Sequence, residues 1–233
     1  MNDNIEKQLQ AYKKALFQSK SEIKVIRFYE TDKPYGCFSN FAKTPIELDG
    51  RVWPTTEHYF QAIKFVGTPH EEELRVAPTA MEAARMGRDR ARPLRKDWED
   101  VKLAVMTKAV QAKVEQHPLV KDLLVSTGSC TLVEHTRNDA FWADNGDGTG
   151  LNWLGRILME IREGLEDYSP DFLLPQWLVY PEHDPYSMFW RMGAGESYMM
   201  YYADWWRGLS EAARREYDAY FVPPAEWCLT NEE

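Results

Sequence analysis

The sequence predicts an α+β fold, mainly helical with a small sheet, and three observations carry that reading. Runs of β-branched and aromatic residues are few and short. Helical periodicity recurs along most of the chain, and strand and helix nowhere alternate regularly as parallel βαβ units require. Hydrophobic content of 44% and charged content of 28% are ordinary for a soluble globular protein, and 233 residues suit one domain with appendages. Boundaries fall at 1–22 for an N-terminal helical appendage, 23–167 for the main domain and 168–233 for an extension rich in Trp and Pro. No apolar run approaches the ~18 residues of a membrane span, and the first twenty residues are polar and amphipathic rather than a signal peptide. The expectation is a cytoplasmic protein with no membrane contact.

Taken in order, residues 4–17 form an amphipathic helix with Ile5, Leu9, Tyr12 and Leu16 on one side. Residues 23–29 are the first strand. A loop follows, in which Ser39 and Asn40 offer hydrogen bonds between aromatic anchors. Residues 46–53 form a hairpin, because Asp49-Gly50 suits a type I′ turn. Pro54 then stops the strand, and Thr55 or Thr56 caps a short helix. Two further helices span 69–76 and 79–88, the second opened by a Thr79–Glu82 capping box. Asp97 caps a long helix to about residue 114, with Trp98, Val101, Val105 and Ala109 on its apolar side. A helix over 119–125, a strand over 131–136, a glycine-rich loop over 144–150 and a helix through Leu165 complete the domain. Beyond it, residues 196–209 and 210–220 read as helices. So many aromatics suit an ordered extension packed on the body, for packing first and as a cover over a site second; it also leaves room for a protein partner.

The formal net charge is −9, and most of the acidic excess lies from residue 168 onward. The body is nearly neutral, with no basic footprint for tight non-specific nucleic-acid binding. Cys37, Cys130 and Cys228 are odd in number and widely spaced, which fits free thiols in a reducing compartment rather than a disulfide framework or a zinc site.

Three groups of residues can do chemistry. On the helix after Pro54, Glu57, Gln61 and Lys64 share one face while Tyr59, Ile63 and Val66 share another. That face either lines an interior groove or faces water with Glu57 serving the helix dipole; spacing alone does not choose. The second group, residues 134–142, carries Glu134 and Asp139. A carboxyl beside Phe141 and Trp142 has a raised pKa and suits proton donation, unless Asp139 simply caps a turn. The third is the glycine loop, whose N–H groups at a helix start suit a phosphate, or form only a tight turn. Arg85, Arg88, Arg90, Arg92 and Arg95 make one basic cluster, either a phosphate clamp or a solvated face. Metal spacing fails: the loop lacks the first and last ligands of an EF-hand, and no HxxxH occurs.

These pieces together resemble the NADAR family, in its YbiA-like branch. They are Gly36-Cys37-Phe38-Ser39-Asn40-Phe41, Trp53-Pro54-Thr55-Thr56-Glu57-His58-Tyr59-Phe60-Gln61-Ala62, and residues 84–90, 132–136, 138–142 and 150–162, in the family's order over about residues 25–165. Ala143 departs from an expected glycine. The resemblance implies a metal-independent, cofactor-free N-glycosidase. Its substrates would be ribosylamine phosphates, the phosphoribosylamino-pyrimidines of riboflavin biosynthesis, with ribose 5-phosphate released. Alternatives are removal of ADP-ribose from guanine in nucleic acid, and a non-enzymatic module that binds ADP-ribose or a nucleotide. The resemblance also implies roles: Glu57 at the sugar or attacking water, Asp139 in proton transfer, and Lys64 at phosphate or as a Schiff-base nucleophile, with Lys33 and Lys43 as rivals. The binding set is Asn40, His58, Gln61, Arg88, Arg95, Trp98, Trp142, Gly148, Gly150 and Asn152. Trp98 serves equally well as a helix-packing residue.

Overall fold

The computed structural model describes residues 25–128, 130–165, 168, 173–180 and 183–228. The helix expected over 4–17 lies outside them. Strand β1 (Val25–Phe28) pairs in parallel with β4 (Thr131–Glu134), Ile26 standing opposite Leu132 and Phe28 opposite Glu134. The hairpin β2 (Ile46–Leu48) and β3 (Arg51–Trp53) turns at Asp49 and Gly50, whose φ values of 54° and 70° are the pair of left-handed residues a type I′ turn needs. The remainder of the domain is helical: α1 (Thr56–Ile63), α2 (Pro69–Arg75), α3 (Ala80–Gly87), α4 (Trp98–Gln116), α5 (Pro118–Ser126) and α6 (Trp153–Glu163). No described helix is long and apolar enough to cross a membrane.

Helix α1 is the centre of the domain. Thr55 caps it by accepting a hydrogen bond from His58 N, and all eight of its residues are buried among α2, α3 and α4. Tyr59, Phe60 and Ile63 join the main core with Trp53, Trp98 and Met106. The helix stops at Ile63, so Val66 is exposed and shares no apolar face with Tyr59. Two expected caps also differ. Thr79 accepts from Glu82 N, but the Glu82 carboxylate turns to Arg85 instead of closing the box. Asp97 makes no cap bond, because its carboxylate pairs with Arg95 at 2.7 Å.

The described part of the extension is packed. It contains the single turn α7 (Gln176–Val179) and helices α8 (Gly193–Gly208) and α9 (Glu211–Tyr220), the last capped by Ser210. Tyr217 donates to Leu173 O at 2.7 Å, Tyr198 donates to Leu174 O, and both tyrosines are buried in the same core as Leu178 and Phe221. The extension meets the domain around β1, where Trp177, Leu178 and Pro224 face Val25, Ile26 and Tyr35 across a space of about 390 Å³.

Candidate active site

Helix α1, the loop between β1 and β2, the end of α3 and the segment after β4 converge on one cleft of about 380 Å³. Its lining includes Asn40, Glu57, Gln61, Lys64, Arg88, Asp139 and Trp142 from the expected set. Glu57 and Asp139, far apart in the chain, therefore face the same hollow. Glu57 is 5% exposed, its Oε1 accepts from Gln61 Nε2 at 2.7 Å, and its backbone N–H donates to Asn40 O. Burial pushes the Glu57 carboxyl up, while Gln61, Lys64 and Arg88 act to keep it charged. Lys64 donates to Gly87 O at 3.3 Å and lies over the rings of Phe60 and Trp98. Burial lowers its amine to about 8, against the attraction of Glu57.

Asp139 caps its turn, as one reading of the sequence had it, and also reaches the cleft. Its Oδ1 accepts from Phe141 N and Trp142 N at 2.8 and 2.7 Å, capping that turn, and its side chain still lines the cleft. Asn40 is set by Thr56, whose hydroxyl donates to Asn40 Oδ1 at 3.0 Å. The loop carrying Asn40 is held by Lys113, fully buried on α4, whose ammonium donates to the carbonyls of Cys37 and Ser39 at 2.9 Å. Lys113 has a signal in the sequence, since it falls four residues after Ala109 on the apolar stripe of α4.

Six expected binding residues do not line the cleft. His58 bridges Thr55 Oγ1 and Ala77 O, and its burial lowers its pKa, so it holds α1 to the chain before α3. Arg95 is paired with Asp97. Trp98 lies behind Phe60, ring centroids 5.1 Å apart, as a packing residue. Asn152 accepts from Glu134 N and donates to Leu132 O, clipping the start of α6 to β4. Gly148 and Gly150 belong to a loop whose amides are already engaged. Gly148 N and Gly150 N donate to Asp144 O, Thr149 N to Asp147 Oδ1, and the N–H groups of residues 151–154 to the carbonyls of 140–143. No amide from Gly148 to Leu154 is left for a phosphate, so the tight-turn reading of this loop holds. Of the arginines, Arg88 reaches the cleft, whereas Arg85 and Arg92 pair with Glu82 and Glu73. Lys33 lines the space beside the extension instead, and Lys43 is exposed outside the cleft lining.

The cleft also contains residues the expected set omitted: Tyr29, Phe41, Phe60, Met81, Met106, Glu134, Thr136 and Asn138. Glu134 had a signal, as the other carboxylate at the end of a predicted strand; Met106 and Met81 had none. All the lining residues fall between Tyr29 and Trp142, so the described part of the extension does not cover the cleft. Among the described residues no three His, Cys, Asp or Glu side chains are gathered closely enough to hold a metal ion.

Carboxyl groups, amides and cations from separate elements of a largely helical domain thus converge on one cleft, a set chemically able to exchange protons with a bound molecule and to hold an anionic one. The chain belongs to the NADAR family, whose domain matches residues 27–166. N-glycosidase YbiA of Escherichia coli (strain K12) is 57% identical over 141 residues, covering 60% of this chain and 88% of that protein. An N-glycosidase of Nostoc punctiforme is 41% identical over 145 residues, 61% of this chain and 93% of its own length. A riboflavin biosynthesis protein of Vibrio vulnificus is also 41% identical over 145 residues, but only 40% of it is covered. The NMR structure of E. coli YbiA superposes with a TM-score of 0.59 at 52% identity, covering 66% of this chain and 92% of that one.

Proposed function

We propose that this N-glycosidase hydrolyses the bond between ribose and an exocyclic nitrogen in phosphoribosylamino-pyrimidines, releasing ribose 5-phosphate. One observation carries the reading: Glu57 and Asp139 line one cleft together with Lys64 and Arg88. Breaking a ribosyl–nitrogen bond places positive charge on the sugar while the departing nitrogen needs a proton, so two carboxyl groups at one site answer both demands. Glu57 stands at the sugar, either opposite the developing charge or as the base for water, with Gln61 and Asn40 at ribose hydroxyls. Arg88 takes the phosphate. Lys64 is the lysine placed to assist, by neutralising phosphate or by attacking the sugar carbon once its amine is free near neutral pH. The ring of Trp142 supplies a face for the base.

Size favours the smaller substrate. A cleft of about 380 Å³ is at the low end of ligand pockets, which run about 300–1,000 Å³. It suits one ribosylated pyrimidine phosphate better than ADP-ribose on a nucleic acid. The near-neutral body supports the same choice. The test is release of ribose 5-phosphate from a ribosylamino-pyrimidine 5′-phosphate, run beside guanine-linked ADP-ribose on DNA. Glu57→Gln is expected to abolish release with an unchanged melting temperature. A folded variant of full activity would remove Glu57 from the mechanism. Faster cleavage of the DNA substrate would replace this reading, and binding without product would favour a nucleotide-binding module.

A further inference from the structure

Three carboxyl groups meet in the cleft, and Glu134 is the one whose carboxyl has no hydrogen-bond or ion-pair partner among the described residues. It is the last residue of β4 and 8% exposed, and its backbone is fixed at both ends: its N–H donates to Asn152 Oδ1 and its carbonyl accepts from Asp144 N. Its side chain lines the cleft, yet its carboxyl makes no hydrogen bond or ion pair with any described residue. A carboxyl buried to that degree and unpaired is costly unless it carries a proton or meets a donor or acceptor from a ligand. Its neighbours fare differently. Glu57 has the Gln61 amide, Lys64 and Arg88. Asp139 has the N–H groups of Phe141 and Trp142 on Oδ1, which hold its carboxyl in one orientation.

Building on the N-glycosidase reading, we propose that Glu134 is a further catalytic residue, the acid that protonates the departing nitrogen. The step balances as follows. Water oxygen bonds to the anomeric carbon, and the electron pair of the broken carbon–nitrogen bond moves to the nitrogen. Glu134 gives its proton to that nitrogen, and the proton lost by the water goes to Glu57. Transfer of that proton through solvent to Glu134 restores both groups, for a net consumption of one water. Asp139, which a two-carboxyl scheme would make the proton donor, acts here instead as a fixed acceptor beside the acid.

The electrostatics agree with the geometry. Burial first, then the charges of Asp139 and Glu57, hold the Glu134 carboxyl up at about 8, so it retains its proton at neutral pH. The titratable and charged groups around it are Glu57 on α1, Lys64 just after it, Lys113 on α4, Asp139 and Asp144 after β4, Arg88 after α3 and Tyr29 after β1. Lys113 opposes the rise, and its ammonium is already engaged by carbonyls.

The experiment compares two substrates in the full chain: a ribosylamino-pyrimidine 5′-phosphate, whose nitrogen needs a proton, and p-nitrophenyl riboside 5-phosphate, whose phenolate leaves without one. Glu134→Gln is expected to lose about 10²–10⁴-fold in kcat on the amine substrate and to stay within about tenfold of wild type on the nitrophenyl substrate. The alkaline limb of its kcat/KM profile on the amine should also vanish. Glu134→Asp should recover part of the loss, and it replaces the Gln variant if that one melts below wild type. Equal losses on both substrates, or no loss on the amine, would overturn the assignment. A wild type that leaves the amine substrate intact overturns the N-glycosidase reading itself, and the role of Glu134 with it.

Discussion

A β-carbon placed on Gly87 would stand 2.0 Å from Gln61 Oε1 and 3.0 Å from Gln61 Cβ, so the last residue of α3 is a glycine because α1 passes directly over it. The contact has a consequence in the cleft. Gln61 Oε1 is buried against Gly87 without a hydrogen bond, and this seating aims Nε2 at Glu57. Lys64, just after α1, donates to the Gly87 carbonyl, so the same backbone residue supports both the Gln61 and the Lys64 side chains.

Gly87→Ala is therefore expected to displace Gln61 and detach it from Glu57. The hard contacts are with the amide end of Gln61, so relief means swinging that amide away from Glu57, while the 3.0 Å contact with Gln61 Cβ needs a shift of only a few tenths of an ångström. Overpacking of this kind costs about 1–3 kcal/mol of stability. Misplacement near the reacting groups should lower kcat by about 10–100-fold. Chemical denaturation and steady-state kinetics read the two effects separately. Adding Gln61→Ala should return the stability but not the activity, and unchanged kcat in Gly87→Ala would show that Gln61 does not position Glu57.

Arg88 and Arg95 belong to one basic cluster in sequence, yet their variants should behave differently. Arg88 lines the cleft, while Arg95 is held by two hydrogen bonds to Asp97 outside it. Arg88→Gln should raise KM for a phosphorylated substrate by about tenfold, the loss of one charge-assisted contact. KM for the dephosphorylated compound should not move. Arg95→Gln should leave both constants within about twofold, as expected for an exposed ion pair. Equal KM effects from both variants would count against Arg88 as the phosphate ligand.

Stability should fall as pH rises through the range in which Glu134 would ionise. Its pKa is raised in the folded state from 4.5 to about 8, so the native protein binds more protons than the unfolded chain between those values. Stability linked to Glu134 is then fully present below about 4.5 and is lost as pH climbs toward about 8. Glu134→Gln, which cannot ionise, should flatten that slope. Urea melts at intervals from pH 5 to 8.5 supply the comparison, and identical slopes would mean that Glu134 titrates normally.

The extension invites a truncation after residue 168. We propose that residues 23–167 form a domain of their own, since the matching 60% of this chain spans 88% of E. coli YbiA. Because no described residue of the extension lines the cleft, the truncated protein should keep its kcat within about twofold and melt several degrees lower, through loss of the packing around β1. A collapse of kcat with folding retained would mean that the extension reaches the site.

Local chemistry was legible in the chain. Asp49-Gly50 announced a I′ turn, Thr55 and Ser210 announced helix starts, and Glu57 with Gln61 announced a polar pair one turn apart; each depends on hydrogen bonds between near neighbours. The family motifs likewise named the segments that meet in the cleft. Tertiary structure decided which of their side chains enter it. Pairing of β1 with β4 joins residues about a hundred positions apart, which no local pattern encodes, and it carries Glu134 to the cleft. The glycine loop resembled a phosphate cradle until its amides found acceptors in Asp144, Asp147 and residues 140–143. Arg88 and Arg95 are the same residue type in one short stretch, and only the fold gives one a cleft and the other an aspartate. The physical reason is common to all three. Caps and turns are satisfied within a few residues, whereas burial, electric field and unpaired hydrogen-bonding capacity depend on groups brought from elsewhere in the chain.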